Sequence, residues 1–135
     1  MTIALQYCNI TVNDVDESIA FYSVLGLQVQ NDVASGEYRW VTLGSDAQPG
    51  LGIVLSAPHA GRSKANGDAL QELLTKGELP MMVYRSDDVD ATFEALRAID
   101  AEVLQEPMEQ GWGPRDCAFR DPSGNVVRIA QTPTA

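Results

Sequence analysis

Apolar positions along this chain change rhythm in a fixed order, and that order occurs twice. Residues 5–12, Leu-Gln-Tyr-Cys-Asn-Ile-Thr-Val, read as a strand with imperfect alternation. Asp14-Val15-Asp16-Glu17 then gives a helix start, with Asp14 as cap and Glu17 where a capping box places its acid. Val15, Ile19, Tyr22 and Leu25 follow at spacings of 4, 3 and 3, one apolar helical face. Gly26 stops the helix at a position that wants positive φ. Strand-like runs follow at about 27–33, 37–43 and 51–55, separated by Ala34-Ser35-Gly36 and by the turn-rich segment 45–50.

The order then returns. Residues 80–85 are strand-like, and Asp88-Val89-Asp90 repeats Asp14-Val15-Asp16 at an offset of 74 residues. The helical face recurs as Val89, Phe93, Leu96 and Ile99, again at spacings of 4, 3 and 3. Asp100 replaces Gly26, and a left-handed position tolerates it. Strands are predicted at about 102–105, 115–120 and 126–131, with the turn Asp121-Pro122-Ser123-Gly124-Asn125 before the last. Each half reads β-α-β-β-β. The expected organisation is one domain over 1–135, with module 1 at about 3–55, a connection at about 56–78 and module 2 at about 79–132. The connection should hold a short helix at about 68–76, capped by Asp68 and stopped by Gly77. One helix covers only one face of a four-stranded sheet. Two such units predict an α+β fold: a curved mixed sheet with helices outside and a central groove.

Charge narrows the partners. Nine Lys and Arg stand against 19 Asp and Glu, a net of −10. That speaks against nucleic acid, which needs a basic face, and against docking on an anionic membrane. It would attract cationic ligands. No apolar run approaches the ~20 residues of a membrane span. The N-terminal residues show no signal-peptide pattern. Cys8 and Cys117 are far apart and belong to no CxxC motif. They read as buried thiols in a reducing cytosol, with a disulfide between them as the alternative, and a cytoplasmic location is expected.

Three motifs carry a family resemblance. They are 12–22 (Val-Asn-Asp-Val-Asp-Glu-Ser-Ile-Ala-Phe-Tyr) with Leu25-Gly26, then Asp88-Val89-Asp90-Ala91-Thr92-Phe93, then Phe119-Arg120-Asp121-Pro122-Ser123-Gly124-Asn125. In this order the chain resembles the vicinal oxygen chelate (glyoxalase/bleomycin-resistance/dioxygenase) superfamily over nearly its whole length, the segment 56–76 excepted. That superfamily hosts lyases, isomerases, dioxygenases and antibiotic-binding proteins, so the resemblance speaks for fold more than for activity. Its enzymes typically hold a divalent metal with His, Gln or Glu from the first and last strands of each module. Carried onto this chain, the positions are Tyr7, about Ile53, Met81 and Arg128. None is an ordinary metal ligand, and Arg128 puts a fixed positive charge where a cation would sit. The single histidine, His59, falls in the connection. No metal and no cofactor is therefore expected.

Strand parity predicts the groove lining. If Tyr7 faces the groove, so do Asn9 and Thr11, and likewise Met81, Val83 and Arg85, and Val126, Arg128 and Ala130. Trp40 and Thr42 are candidates from the third strand, and Trp112 sits in a glycine-rich rim segment. The candidate ligand-binding residues are Tyr7, Asn9, Trp40, Met81, Arg85, Trp112, Arg115 and Arg128. Each also has a plain reading: Met81 and Trp40 as core, Trp112 as an edge cover, Arg128 as partner of a carboxylate such as Asp116. No Ser-His-Asp, Cys-His or phosphate-loop arrangement is available, and no catalytic residue is assigned.

The resemblance leaves several functions open. The first is a small-molecule-binding protein similar to the bleomycin-resistance branch, sequestering an antibiotic or other metabolite. The alternative is a metal-free lyase, isomerase or dioxygenase-like enzyme, with Arg128 or Arg115 polarising an oxyanion and Tyr7 donating a proton. A metal-dependent enzyme stands behind both. Acidity and aromatics suit a cationic ligand, whereas Arg85 and Arg128 suit an anionic or carbonyl-bearing one. Members of this superfamily are often homodimers, some exchanging modules between chains, so a homodimer is implied.

Overall fold

A computed structural model describes residues 1–133. The elements are β1 (Tyr7–Thr11), α1 (Val15–Val24), β2 (Gln28–Ser35), β3 (Tyr38–Gly44), β4 (Gly52–Ser56), α2 (Lys64–Lys76), β5 (Met82–Ser86), α3 (Val89–Ala98), β6 (Glu102–Glu109), β7 (Arg115–Arg120) and β8 (Val126–Gln131). They form two four-stranded sheets of the same topology, β1-β4-β3-β2 and β5-β8-β7-β6. In each, the first strand of the module runs parallel to the last and the other pairings are antiparallel. This is the predicted α+β fold of two βαβββ modules.

The caps explain why the helices start where they do. The Asp14 carboxylate accepts the Glu17 N–H at 2.9 Å, and Asp88 accepts the Ala91 N–H at 3.0 Å. Gly26 (φ +84°) and Asp100 (φ +58°) take the left-handed stop positions. The buried face of α1 differs from the predicted one. Ser18, Phe21 and Tyr22 are buried, while Val15, Ile19 and Leu25 are only partly covered. The reason is tertiary: α1 packs against α3 as well as against its own sheet, which turns the covered face toward the seam between modules. Ile99 caps α3 beyond its last turn and stays exposed.

Two elements are longer than predicted. α2 begins at Lys64 rather than 68, because Ser63 Oγ accepts the Asn66 N–H at 3.2 Å and caps it earlier. Asp68 is therefore inside the helix, bonded to Lys64 Nζ at 2.7 Å and His59 Nε2 at 2.8 Å. β6 continues past 105 to Glu109 despite Pro107, which an edge strand tolerates.

One buried cluster spans both modules, with Ile10, Phe21 and Leu55 meeting Phe93, Phe119 and Ile129. The Asp121–Asn125 turn fastens the modules together. Buried Asp121 accepts N–H groups from Ser123 (3.0 Å), Gly124 (3.0 Å) and Asn125 (2.9 Å) on Oδ1. Its Oδ2 accepts Tyr22 Oη–H from α1 at 2.7 Å and Asn125 Nδ2–H at 2.9 Å. Asn125 Nδ2 also donates to the Thr11 carbonyl at 2.8 Å, and Ser123 Oγ accepts the Asn13 N–H at 2.8 Å. Gly124 has φ +111°, and a Cβ there would sit 2.7 Å from the Leu74 carbonyl oxygen. Gly124→Ala is expected to cost about 2 kcal/mol or more and lower Tm by roughly 5–10 °C, read by thermal unfolding.

Candidate functional site

Each sheet has one face under the helices and one open face. On β1, Cys8 and Ile10 pack into the core while Tyr7 and Asn9 are exposed. On β5, Met82 and Tyr84 pack inward and Val83 and Arg85 stay out, as does Met81 just before the strand. On β8, Val127 and Ile129 are buried under α3, which turns Val126, Arg128 and Ala130 to the open side. β3 follows the same rule: Val41 and Leu43 are core, so Trp40 and Thr42 lie on the open face. The register also corrects the module-1 counterpart of Arg128. β5 pairs Val83 with Arg128 and β1 pairs Asn9 with Val54, so the counterpart is Val54, while Ile53 is a core residue.

The open face of the first sheet is neutral and aromatic. Tyr7, Asn9, Trp40, Thr42 and Val54 share it. Tyr7 and Thr42 close over Gly52, where a Cβ would lie 2.8 Å from each. Tyr7 (53% exposed) and Asn9 are uncovered, while Trp40, Thr42 and Val54 are half-buried.

The open face of the second sheet holds a charged network. Asp116 is only 2% exposed although it points to the open side. It accepts Arg128 Nη1–H on Oδ2 at 2.8 Å, and Gln105 Nε2–H (2.9 Å) and Gln110 Nε2–H (2.7 Å) on Oδ1. Gln105 Oε1 takes a further bond from Arg128 Nη1 at 3.3 Å. Burial by itself would raise the Asp116 carboxyl. The hydrogen bonds from Gln110, Arg128 and Gln105, with the Arg128 charge, outweigh it and hold the group below the usual carboxylate value. Gln110 thereby pins the base of the segment that carries Trp112, which is 77% exposed. Gln105 and Gln110 were not among the sequence candidates. The hint was Gln110 beside Gly111-Trp112-Gly113, but an amide folding back on Asp116 has no signature in sequence.

Met81 (51% exposed) and Val83 (61%) flank the network, and Arg85 pairs with no carboxylate among the described residues. Arg115 is placed elsewhere. Its guanidinium bonds both Asp90 oxygens at 2.7 and 3.0 Å, on the α3 side of the sheet, because β7 turns Arg115 with Cys117 away from the open face. Burial pushes the Cys117 thiol up to about 11. His59 is engaged by Asp68 in the connection, with its ring against Gly67.

Two cavities border these elements. One, of about 200 Å³, lies at the seam and is lined by Asn9, Thr11, Met81, Tyr84 and Asn125 among others. Tyr84 Oη is buried there without a hydrogen-bond partner among the described residues, and burial, then nearby Cys8 and Asp121, pushes its phenol up. The other, of about 710 Å³, borders Glu17, Ile99, Arg120 and Pro122. Neither is lined by Trp40, Arg128 or Trp112.

The metal positions of the resembled family now read Tyr7, Val54, Met81 and Arg128. A phenol, an alkyl group, a thioether and a guanidinium tied to Asp116 do not fit a divalent cation. Among the described residues no group of three His, Cys, Asp or Glu side chains is placed to hold a metal. Among the same residues no helix is long and apolar enough to cross a membrane.

Comparison with known proteins agrees with the architecture. The chain is 28% identical over 125 residues to the uncharacterised protein YurT of Bacillus subtilis (strain 168), covering 91% of this chain and 94% of that one. The crystal structure of UcmS2 superposes with a TM-score of 0.86 at 30% identity, covering 98% of this chain and all of that one (100%). TnmS3, an antibiotic binding protein from Streptomyces sp. CB03234, gives 0.75 at 24% identity, covering 98% and 99%. The model of the Glyoxalase/Bleomycin resistance protein/Dioxygenase superfamily matches residues 4–129. With that match over nearly all of its length, the chain belongs to this superfamily.

Proposed function

We propose that the protein binds a small molecule on its open sheet faces and sequesters it, as a homodimer. The observation that carries this reading is the make-up of those faces. They offer exposed Tyr7, half-buried Trp40, apolar Met81 and Val83, and a fixed guanidinium, with no metal donor set or nucleophile–base pair among the described residues. Such surfaces stack and orient a ligand more readily than they transform it. The similarity to TnmS3, an antibiotic binding protein, supports an antibiotic as ligand. The dimer is supported by the uncovered apolar side chains on both faces, which a second copy can cover while completing the groove. Free Cys8 and Cys117 support a reducing, cytoplasmic location.

Native mass spectrometry of freshly purified protein tests this. A dimer is expected, retaining or accepting one ligand per chain that is recovered unchanged. Trp40→Ala should weaken that ligand about tenfold by loss of stacking. Turnover of the ligand by a small molar fraction of protein would sink the sequestering reading, and a monomer that binds at full affinity would sink the dimer.

A further inference from the structure

The chain carries a net charge of −10, yet the open face of the second sheet carries a guanidinium that no carboxylate balances among the described residues. Two ion pairs on that sheet are internally balanced, Arg128–Asp116 at 2.8 Å and Arg120–Glu102 at 3.0 Å. Arg85 is left over, exposed and free of any ion pair among the described residues. It stands on β5, next to β8, where Arg128 pairs in register with Val83, one pleat from Arg85. Adjacent strands are about 4.8 Å apart, so Arg85 and Arg128 rise from neighbouring strands onto the same open face. Arg128 spends Nη1 on Asp116 and Gln105, whereas its Nε and Nη2 make no hydrogen bond among the described residues. The Asp116 network thus holds the guanidinium plane and leaves one edge open for a planar acceptor. Met81 and Val83 beside it supply an apolar floor suited to a ring.

We infer that this face recognises an aromatic oxyanion, a carboxylate or phenolate on a planar ring. The oxygen is taken by Arg85 and the open edge of Arg128, and the ring lies on Met81 and Val83. The inference rests on the small-molecule reading above and fixes the sign of the ligand. It is opposite to what the net charge of the chain would attract. A cation on this face would meet two guanidiniums, and the carboxylate beside them is already saturated by three side chains.

Three probes sharing one ring separate the alternatives: 2-naphthoate, 2-naphthamide and 2-naphthylmethylammonium, titrated calorimetrically into the full chain. The carboxylate should bind about tenfold or more tighter than the amide, with the ammonium weakest. Arg85→Gln should bring the carboxylate to within about threefold of the amide without moving the amide, and Arg85→Lys should restore part of the preference. Arg85 is exposed and unpaired, so both variants should unfold as the parent does. Equal binding of carboxylate and ammonium, or a preference that survives Arg85→Gln, overturns the oxyanion assignment while small-molecule binding stands. Failure of all three probes to bind at about 5 mM also overturns it, and a ligand retained in native mass spectrometry would still uphold the broader reading.

Discussion

Asp121→Ala should lower the stability of this protein by about 3–5 kcal/mol, the largest effect of any single polar substitution considered. The carboxylate is buried and accepts three backbone N–H groups of its own turn on one oxygen. The other oxygen takes the Tyr22 hydroxyl at 2.7 Å and the Asn125 amide at 2.9 Å. Removing it takes an acceptor from five donors. Gly124 N–H keeps the Asp121 backbone carbonyl at 3.1 Å and Asn125 Nδ2 keeps the Thr11 carbonyl at 2.8 Å. The other three are stranded where water reaches them poorly, at about 1–3 kcal/mol each before relaxation. Relaxation of the turn lets some find other acceptors, which sets the total below the sum. The loss is also not local. The turn carries Asn125 to the Thr11 carbonyl and Ser123 to the Asn13 N–H, so its collapse loosens one module from the other. Tyr22→Phe removes a single donor to the same carboxylate and should cost about 1.5–3 kcal/mol. Burial, then the Asp121 charge, pushes the Tyr22 phenol far up, so it stays a donor across the accessible pH range. Urea unfolding of the two variants checks the ranking. An Asp121→Ala unfolding free energy within about 1 kcal/mol of the parent would show that the turn stands without its carboxylate.

Arg128→Met is expected to be the second most costly change, about 2–3 kcal/mol at neutral pH, below the ~3–5 kcal/mol of a fully buried pair because Arg128 is itself 25% exposed. It leaves the Asp116 carboxylate buried with two amide donors and no cation. Its pH dependence is diagnostic. In the parent protein the Asp116 carboxyl lies below the usual value, so the stability it contributes is complete above about pH 3.9 and is lost as pH falls through the lower folded value. Without the guanidinium only the Gln110 and Gln105 amides oppose burial, so the folded carboxyl rises from its lowered value. The variant then has less carboxylate-linked stability to lose than the parent, and its deficit shrinks as pH falls through the carboxylate range. Asp116→Asn in the Arg128→Met background removes the buried charge and should recover a large part of the loss at neutral pH. A deficit that stays constant with pH would show that Arg128 acts by packing alone.

The fold was largely legible because its signals are local. Asp14 and Asp88 cap helices that begin one residue later, and Gly26 and Asp100 stop them through their own φ. The 74-residue repeat needed only the spacing of apolar residues and those caps. The errors fell where a distant partner decides. Ser63 displaced Asp68 as the cap of α2, and the burial of Ser18 and Phe21 depends on α3 lying against α1. The Asp121–Asn125 turn was legible as a turn, but its bonds to Tyr22, Thr11 and Asn13 reach across 99 to 114 residues and leave no trace in local pattern.

For the candidate site the division is similar. Parity along β1, β5 and β8 assigns faces, because successive side chains of a strand must point to opposite sides. Parity says nothing of what lies across the strand. Hydrogen-bond register decided that Val54, not Ile53, answers Arg128, and that Arg115 serves Asp90 while Arg128 serves Asp116. The sequence by itself determined two βαβββ units, an acidic chain and positions without metal donors, since these follow from residue type and spacing. Only the tertiary structure decided which charges are spent and which are free. Pairing depends on distances between strands remote in sequence, and those distances left Arg85 without a carboxylate partner among the described residues.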